Sequence, residues 1–198
     1  MTVTDHHPPP AAEPQISPEL FEEIAHLAAR EDVHLEYLNG KMETRPVPDG
    51  DHDEILMWMM QEFMGHRPDL RLNITGRGLK VDTYRNGRAR PDGVLAPREH
   101  FRGSPEWAEP DGVLAVVEVT SGDADTHTRD RVEKPAAYAA TGIGVYLLVD
   151  RDANAVVVHS RPAVGRYLDR SEHPYGEAVE VPGVGIVLDT DTLKRFAR

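Results

Sequence analysis

Apolar positions recur along the 198-residue chain with two spacings, one helical and one alternating. Residues 18–31 (PELFEEIAHLAARE) put Leu20, Ile24, Leu27 and Ala28 on one helical face, with Ser17 as N-cap. HLEYLNGKMETRP then predicts a short strand pair turned at Asn39-Gly40, a dipeptide suited to tight hairpins. A second helix is expected over 52–64, with Asp51 and Glu54 as a capping box. Its apolar residues almost encircle it, which predicts burial on most sides, its methionines serving as core filler. Strand-like runs follow at 70–75, 78–84 and 89–96, interrupted by Gly76, Asn86-Gly87, Pro91 and Pro97.

The strongest pattern lies in residues 113–150. VLAVVEVT (113–120) is apolar on both faces, as befits a central strand covered on two sides. Residues 126–141 are helical in character and end at Gly142, and GVYLLVD forms a second buried strand. Strand, helix and strand of this length imply a crossover between parallel neighbours. AVVVHS (155–160), a strand near 165–168, and a closing strand and short helix in VPGVGIVLDTDTLKRF extend the sheet. The expected architecture is one α/β domain over 18–198 with a mixed sheet, preceded by a Pro-rich flexible arm over 1–17 that holds His6 and His7 as a solvated pair.

Composition narrows the function classes. The chain has no cysteine, which excludes disulfides, thiolate metal sites and cysteine nucleophiles. Its longest apolar run, Ile55 to Met60, is far short of the roughly 20 residues of a membrane span. With no signal-like N-terminus, a soluble cytoplasmic protein with no membrane partner is expected. The net charge of −12 argues against coating nucleic acid by charge alone. That charge is unevenly placed. Residues 1–66 hold 14 acidic against 3 basic side chains, whereas 67–90 hold 7 basic (Arg67, Arg71, Arg77, Lys80, Arg85, Arg88, Arg90) against Asp69 and Asp82. This basic stretch reads either as a polyanion-facing edge or as a solvated, Arg-rich strand face.

Three residues stand out against this background. Glu118 places a carboxylate on a strand buried on both faces, which costs several kcal/mol unless a cation offsets it. It is either half of a structural salt bridge or part of a site at the carboxyl end of a central strand, where open α/β sheets bind ligands. Asp92 follows Pro91 in ARPDGVLA and lies on a different strand, so it can sit beside Glu118. The second Pro-Asp-Gly, at Asp111, enters the Glu118 strand itself and falls about 23 Å away along it. Lys134 is one of only 4 lysines against 18 arginines, with Tyr138 one turn further along the same helix face. It is either a surface i, i+4 partner of Asp130 or a point charge placed for a site.

Together Asp92, Glu118 and a basic residue behind them resemble the PD-(D/E)XK nuclease superfamily. More narrowly, the chain resembles the Uma-two family of restriction-endonuclease-like proteins. The likeness spans roughly residues 19–197 and rests on LEYLNGKM, on His52 opening a helix, on ARPDGVLAP, and most specifically on VVEVTSGDADTHTRDRVEKPAAYAATGIGVYLLVDRD. The superfamily signature calls for Lys two residues after the Glu, where this chain has Thr120; Lys134, on the following helix, is the matching residue. Pro135 is awkward inside a helix, so the regular helix is expected to begin near 131–132, with Lys134 pointing at the carboxyl end of the Glu118 strand.

The resemblance implies a restriction-endonuclease-like fold with extra N- and C-terminal strands, and hydrolysis of DNA phosphodiesters. Asp92 and Glu118, with the Val119 carbonyl, would hold Mg²⁺ or Mn²⁺, while Lys134 would orient the nucleophile and stabilise developing charge. Glu36 and His52 match family positions and line the site or serve as structural anchors; Tyr138 is a further lining residue. A homodimer is expected, because such nucleases cut two strands with paired sites. The other reading of the same fold is a catalytically inactive binding or dimerisation module. DADTHTRD (Asp123, Asp125, His127, Asp130) lacks the glycine and terminal Glu of a calcium loop, which favours a helix-capping loop.

Overall fold

A computed structural model describes residues 16–45, 47–81, 86–121 and 128–198. The arm over 1–15 with His6 and His7, and the loop residues Asp123, Asp125 and His127, lie outside the described residues. The first helix, α1 (Pro18–Ala28), is capped by Ser17, whose Oγ accepts the Leu20 N–H at 3.2 Å. Its buried residues are Phe21 and Ala25, while Leu20 and Leu27 are exposed. The buried stripe is therefore rotated by about one residue from the expected face. Phe21 sets that rotation, stacking on Tyr37 (5.3 Å between ring centres) beside Trp107 (5.6 Å).

Strands β1 (Leu35–Leu38) and β2 (Lys41–Thr44) form the expected hairpin. Asn39 (φ 51°) and Gly40 (φ 80°) both take left-handed backbone, as a tight primed turn demands. Helix α2 (Gly50–His66) starts two residues earlier than the sequence suggested, and its cap is Asp49, not Asp51. Asp49 Oδ1 accepts the His52 N–H at 2.9 Å. The same carboxylate is gripped by the fully buried Arg151, at 2.9 and 3.0 Å, whereas Asp51 reaches Arg151 only at 3.5 Å. Burial of α2 is one-sided: Ile55, Leu56, Met59 and Phe63 are in the core, but Met57 and Met64 are exposed.

The strands that follow are β3 (Leu70–Asn73), β4 (Gly78–Val81), β5 (Gly87–Ala89), β6 (Gly93–Pro97), β7 (Trp107–Ala108) and β8 (Ala115–Val119). A π turn (Arg129–Glu133) leads into helix α3 (Lys134–Ala140), and the chain continues as β9 (Val145–Asp150), β10 (Ala155–Ala163), β11 (Arg166–Pro174), β12 (Ala178–Val181), β13 (Ile186–Asp189) and a 3₁₀ segment (Thr190–Phe196). Regular α geometry thus starts at Lys134, later than expected. Pro135 has no N–H to offer the carbonyl of Arg131, and the wider turn, closed by Lys134 N–H to the Arg129 carbonyl, accommodates that gap.

The described strands fall into three sheets rather than one: β2-β1-β5-β4-β7, β11-β10-β9-β8-β6-β3, and the β12-β13 hairpin. The central pair of the six-stranded sheet, β8 and β9, is parallel as the crossover requires, and its other pairings are antiparallel. One face of this sheet is covered by α2 and the β12-β13 hairpin, through Ile55, Phe63, Val117, Val149, Val179 and Leu188. The opposite face packs on α3 and on residues of the five-stranded sheet, through Leu79, Val116, Tyr138 and Tyr146. β8 is accordingly sandwiched, and this is why its one carboxylate matters.

Candidate active site

Register brings the two carboxylates together. β6 and β8 run antiparallel with Gly93 opposite Val117, so one step further Asp92 faces Glu118. Asp92 Oδ2 accepts the Val119 backbone N–H at 2.9 Å, which fixes the carboxylate at the end of β8. His52, in the first turn of α2, places Nε2 3.1 Å from the same oxygen. The other oxygen, Oδ1, is bonded by Arg45, the residue directly after β2. Burial alone would raise the Asp92 carboxyl, but the His52 bond and the charges of Arg45 and Lys134 outweigh it and hold it well below the usual range.

Glu118 has its own partners. Lys134 Nζ lies 2.9 Å from Oε2, and Tyr138 donates its hydroxyl to Oε1 at 2.9 Å. Burial pushes this carboxyl well above the usual range; Lys134 opposes the shift, while Asp92, Asp130 and Glu36 reinforce it. Burial also works against the Lys134 ammonium, yet Glu118, Glu36, Asp130 and Asp92 prevail and hold it above the ordinary lysine range. Lys134 is therefore a fixed cation at neutral pH. Its other contacts are Asp130 Oδ1 at 3.3 Å and Glu36 Oε2 at 3.6 Å. The Asp130–Lys134 pair anticipated as a surface contact exists, but both side chains are buried.

Glu36, on β1, accepts the Arg90 backbone N–H at 2.7 Å through Oε1. Its Oε2 points between Lys134 and Arg129 Nε (3.9 Å). Glu36 Oε2, Asp130 Oδ1 and Arg129 Nε are buried and make ionic contacts without a hydrogen bond, so polar valence stays open beside Lys134. Every residue singled out in the sequence, Glu36, His52, Asp92, Glu118, Val119, Lys134 and Tyr138, thus belongs to one cluster. At that cluster opens a cavity of about 430 Å³ onto which Asp92, Glu118, Val119 and Lys134 face. Three members escaped sequence reasoning: Arg45, Arg129 and, as a buried group, Asp130. The available signal for Arg45 was its rarity, as one of 3 basic side chains in residues 1–66.

The donors suit a hard divalent ion. Among the described residues no group of three or more His, Cys, Asp or Glu side chains is arranged to hold a metal. Two carboxylates with water completing the shell is the manner in which Mg²⁺ is commonly held, unlike the fuller cages of Ca²⁺ or structural Zn²⁺. Four cations of the basic stretch over 67–90 are paired among the described residues, and Arg85 lies outside them. Arg67 pairs with Asp69 (2.6 Å), Arg88 with Glu22 (2.6 Å), Lys80 with Glu109, and Arg90 with Glu106 while lying over the Trp107 ring.

The fold is shared with a solved nuclease-fold structure, described as a "putative nuclease belonging to DUF820" from Anabaena variabilis. The TM-score is 0.62 at 16% identity, covering 82% of this chain and 90% of that one. The model of the Uma2 family, described as "Putative restriction endonuclease", matches residues 19–191, and the chain belongs to that family. A comparison with curated proteins finds no match. No helix among the described residues is long and apolar enough to cross a membrane.

Proposed function

We propose that this protein is a divalent-metal-dependent endonuclease that hydrolyses phosphodiester bonds in DNA. The observation that carries this reading is the convergence of Asp92, Glu118 and Lys134 on one cavity, with Lys134 Nζ 2.9 Å from Glu118. Asp92 and Glu118, with the Val119 carbonyl, would hold Mg²⁺ or Mn²⁺. When bound, such an ion would supply Lewis-acid chemistry, activating a water and drawing charge from a phosphate oxygen. The Lys134 ammonium would orient the attacking oxygen and stabilise charge developing on the phosphate. His52 and the Val119 N–H keep Asp92 oriented, and Glu36 and Asp130 keep Lys134 protonated and in place. A homodimer with two such sites provides for cutting both strands.

A specific observation favours a second reading, an inactive module of the same fold. Both carboxylates already carry an internal cation, Arg45 on Asp92 and Lys134 on Glu118. Titration with Mg²⁺ or Mn²⁺, followed by thermal unfolding, separates the two. The nuclease reading requires a saturable rise in unfolding temperature that Asp92→Ala abolishes. No stabilisation in either protein would leave only the inactive module.

A further inference from the structure

Asp92 is held by three groups of unequal permanence. The Val119 N–H is part of the β8 backbone, and His52 is packed into the first turn of α2 with its side chain 8% exposed. Both act on Oδ2. Oδ1 is bonded by Arg45, whose side chain is 19% exposed and lines the cavity. Asp92 Oδ1 is consequently the carboxylate atom with the least permanent partner. The Arg45 backbone is tied separately, its N–H donating to the His34 carbonyl at 2.9 Å. Displacing the guanidinium from Oδ1 therefore moves a side chain and leaves the strand pair intact.

We infer that Arg45 is a displaceable internal cation, standing on Asp92 in the ion-free protein and giving way to the divalent ion when it binds. This rests on the metal-dependent reading proposed above. A guanidinium bonded to a carboxylate in a half-closed cavity is a strong competitor, since charge-assisted hydrogen bonds are roughly twice as strong as neutral ones. Metal affinity is thereby set low and made to depend on the release of Arg45. The released fork remains on the cavity wall, where a phosphate diester is the ligand that its paired N–H groups fit. Arg45 then serves as a phosphate-positioning residue available only in the ion-loaded site. Arg129 lines the same cavity, but its bonds run to Glu43 and the Thr44 carbonyl and its Nε faces Glu36, so it does not cover Oδ1.

The test is calorimetric titration of the full chain with Mn²⁺ alone, in the wild type, Arg45→Ala, Arg45→Gln and Arg166→Ala. Arg45→Ala and Arg45→Gln should bind Mn²⁺ on the order of tenfold more tightly than wild type. Arg166→Ala, which removes the same charge from the exposed edge strand β11 without clearing Oδ1, should stay within about twofold. A short DNA duplex titrated in Ca²⁺ should bind Arg45→Ala more weakly than wild type, with no such difference in chelator. Two Arg45 variants that bind Mn²⁺ no more tightly than wild type would overturn the inference and leave the metal-dependent reading standing. Equal tightening in Arg166→Ala would reduce it to a general charge effect and overturn it as well. Failure of every protein to bind Mn²⁺ would remove the metal-dependent reading itself.

Discussion

Lys134 reaches Glu118 from the following helix, Nζ to Oε2 at 2.9 Å, and so delivers an ammonium to the end of β8 that no residue of β8 supplies. On the strand side, Thr120 is turned to another purpose: its Oγ1 accepts the Arg151 backbone N–H at 2.9 Å. The π turn before α3 and Pro135 in its first turn aim Lys134 into the cluster. Four carboxylates, Glu36, Asp92, Glu118 and Asp130, depend on this amine in whole or in part.

Removing that amine should be costly. Lys134→Met leaves Glu118, Asp130 and Glu36 buried with much of their compensation gone, and is expected to lower stability by about 3–5 kcal/mol in urea unfolding. Lys134→Arg should recover only part of this loss, because a planar fork does not fit three acids arranged around a compact point charge.

Tyr138→Phe removes one hydroxyl and leaves the ring packed against Tyr146 at 5.6 Å. Glu118 Oε1 loses its donor. Urea unfolding should show a loss of about 1–3 kcal/mol with an unchanged m-value, as expected for a buried acceptor left unsatisfied.

Asp49→Ala removes the α2 cap and a carboxylate bonded to buried Arg151. A lost cap alone costs about 1 kcal/mol. The Arg151 guanidinium keeps only the 3.5 Å contact with Asp51, so the variant should be destabilised by more than Ser17→Ala, whose cap serves α1 only. Comparing the two denaturation midpoints checks the difference.

His159 lies between the rings of Tyr146 (5.5 Å) and Tyr167 (5.9 Å). Burial, assisted by Arg170, pushes its pKa down to about 4. The unfolded chain, titrating near 6.5, then binds the proton more readily than the folded one. The contribution of His159 to stability is complete above pH 6.5 and is lost as pH falls towards 4. His159→Gln should flatten the stability profile across that window, measured by urea unfolding at each pH.

The sequence made the central crossover legible because burial on both faces of 113–120 and 144–150 leaves a continuous apolar signal, and a lone Glu118 in it is conspicuous. Asp92 was legible by geometry, since an antiparallel neighbour can bring it opposite Glu118 where Asp111 cannot reach. The five-stranded sheet was not separable from the six-stranded one. Strands such as Gly87–Ala89 and Trp107–Ala108 are too short to carry a period, and their pairing is decided by long-range contacts. The cap of α2 was misplaced because Arg151, 102 residues away, decides which aspartate is fixed. Arg45 was marked only by its rarity for a similar reason: its role exists only where β2 passes the end of β6. The basic stretch over 67–90 left two readings open, because charge counts do not show that Arg88 and Arg90 are buried against Glu22 and Glu106.

The measurement that bears most directly on the central claim is conversion of supercoiled plasmid to nicked and linear forms as Mg²⁺ or Mn²⁺ is added. Wild type should cleave only with the ion present. Asp92→Ala, Glu118→Gln and Lys134→Ala, each confirmed folded by circular dichroism, should lose activity by about a hundredfold or more. Cleavage that persists in chelator, or that survives in these three variants, would contradict the account.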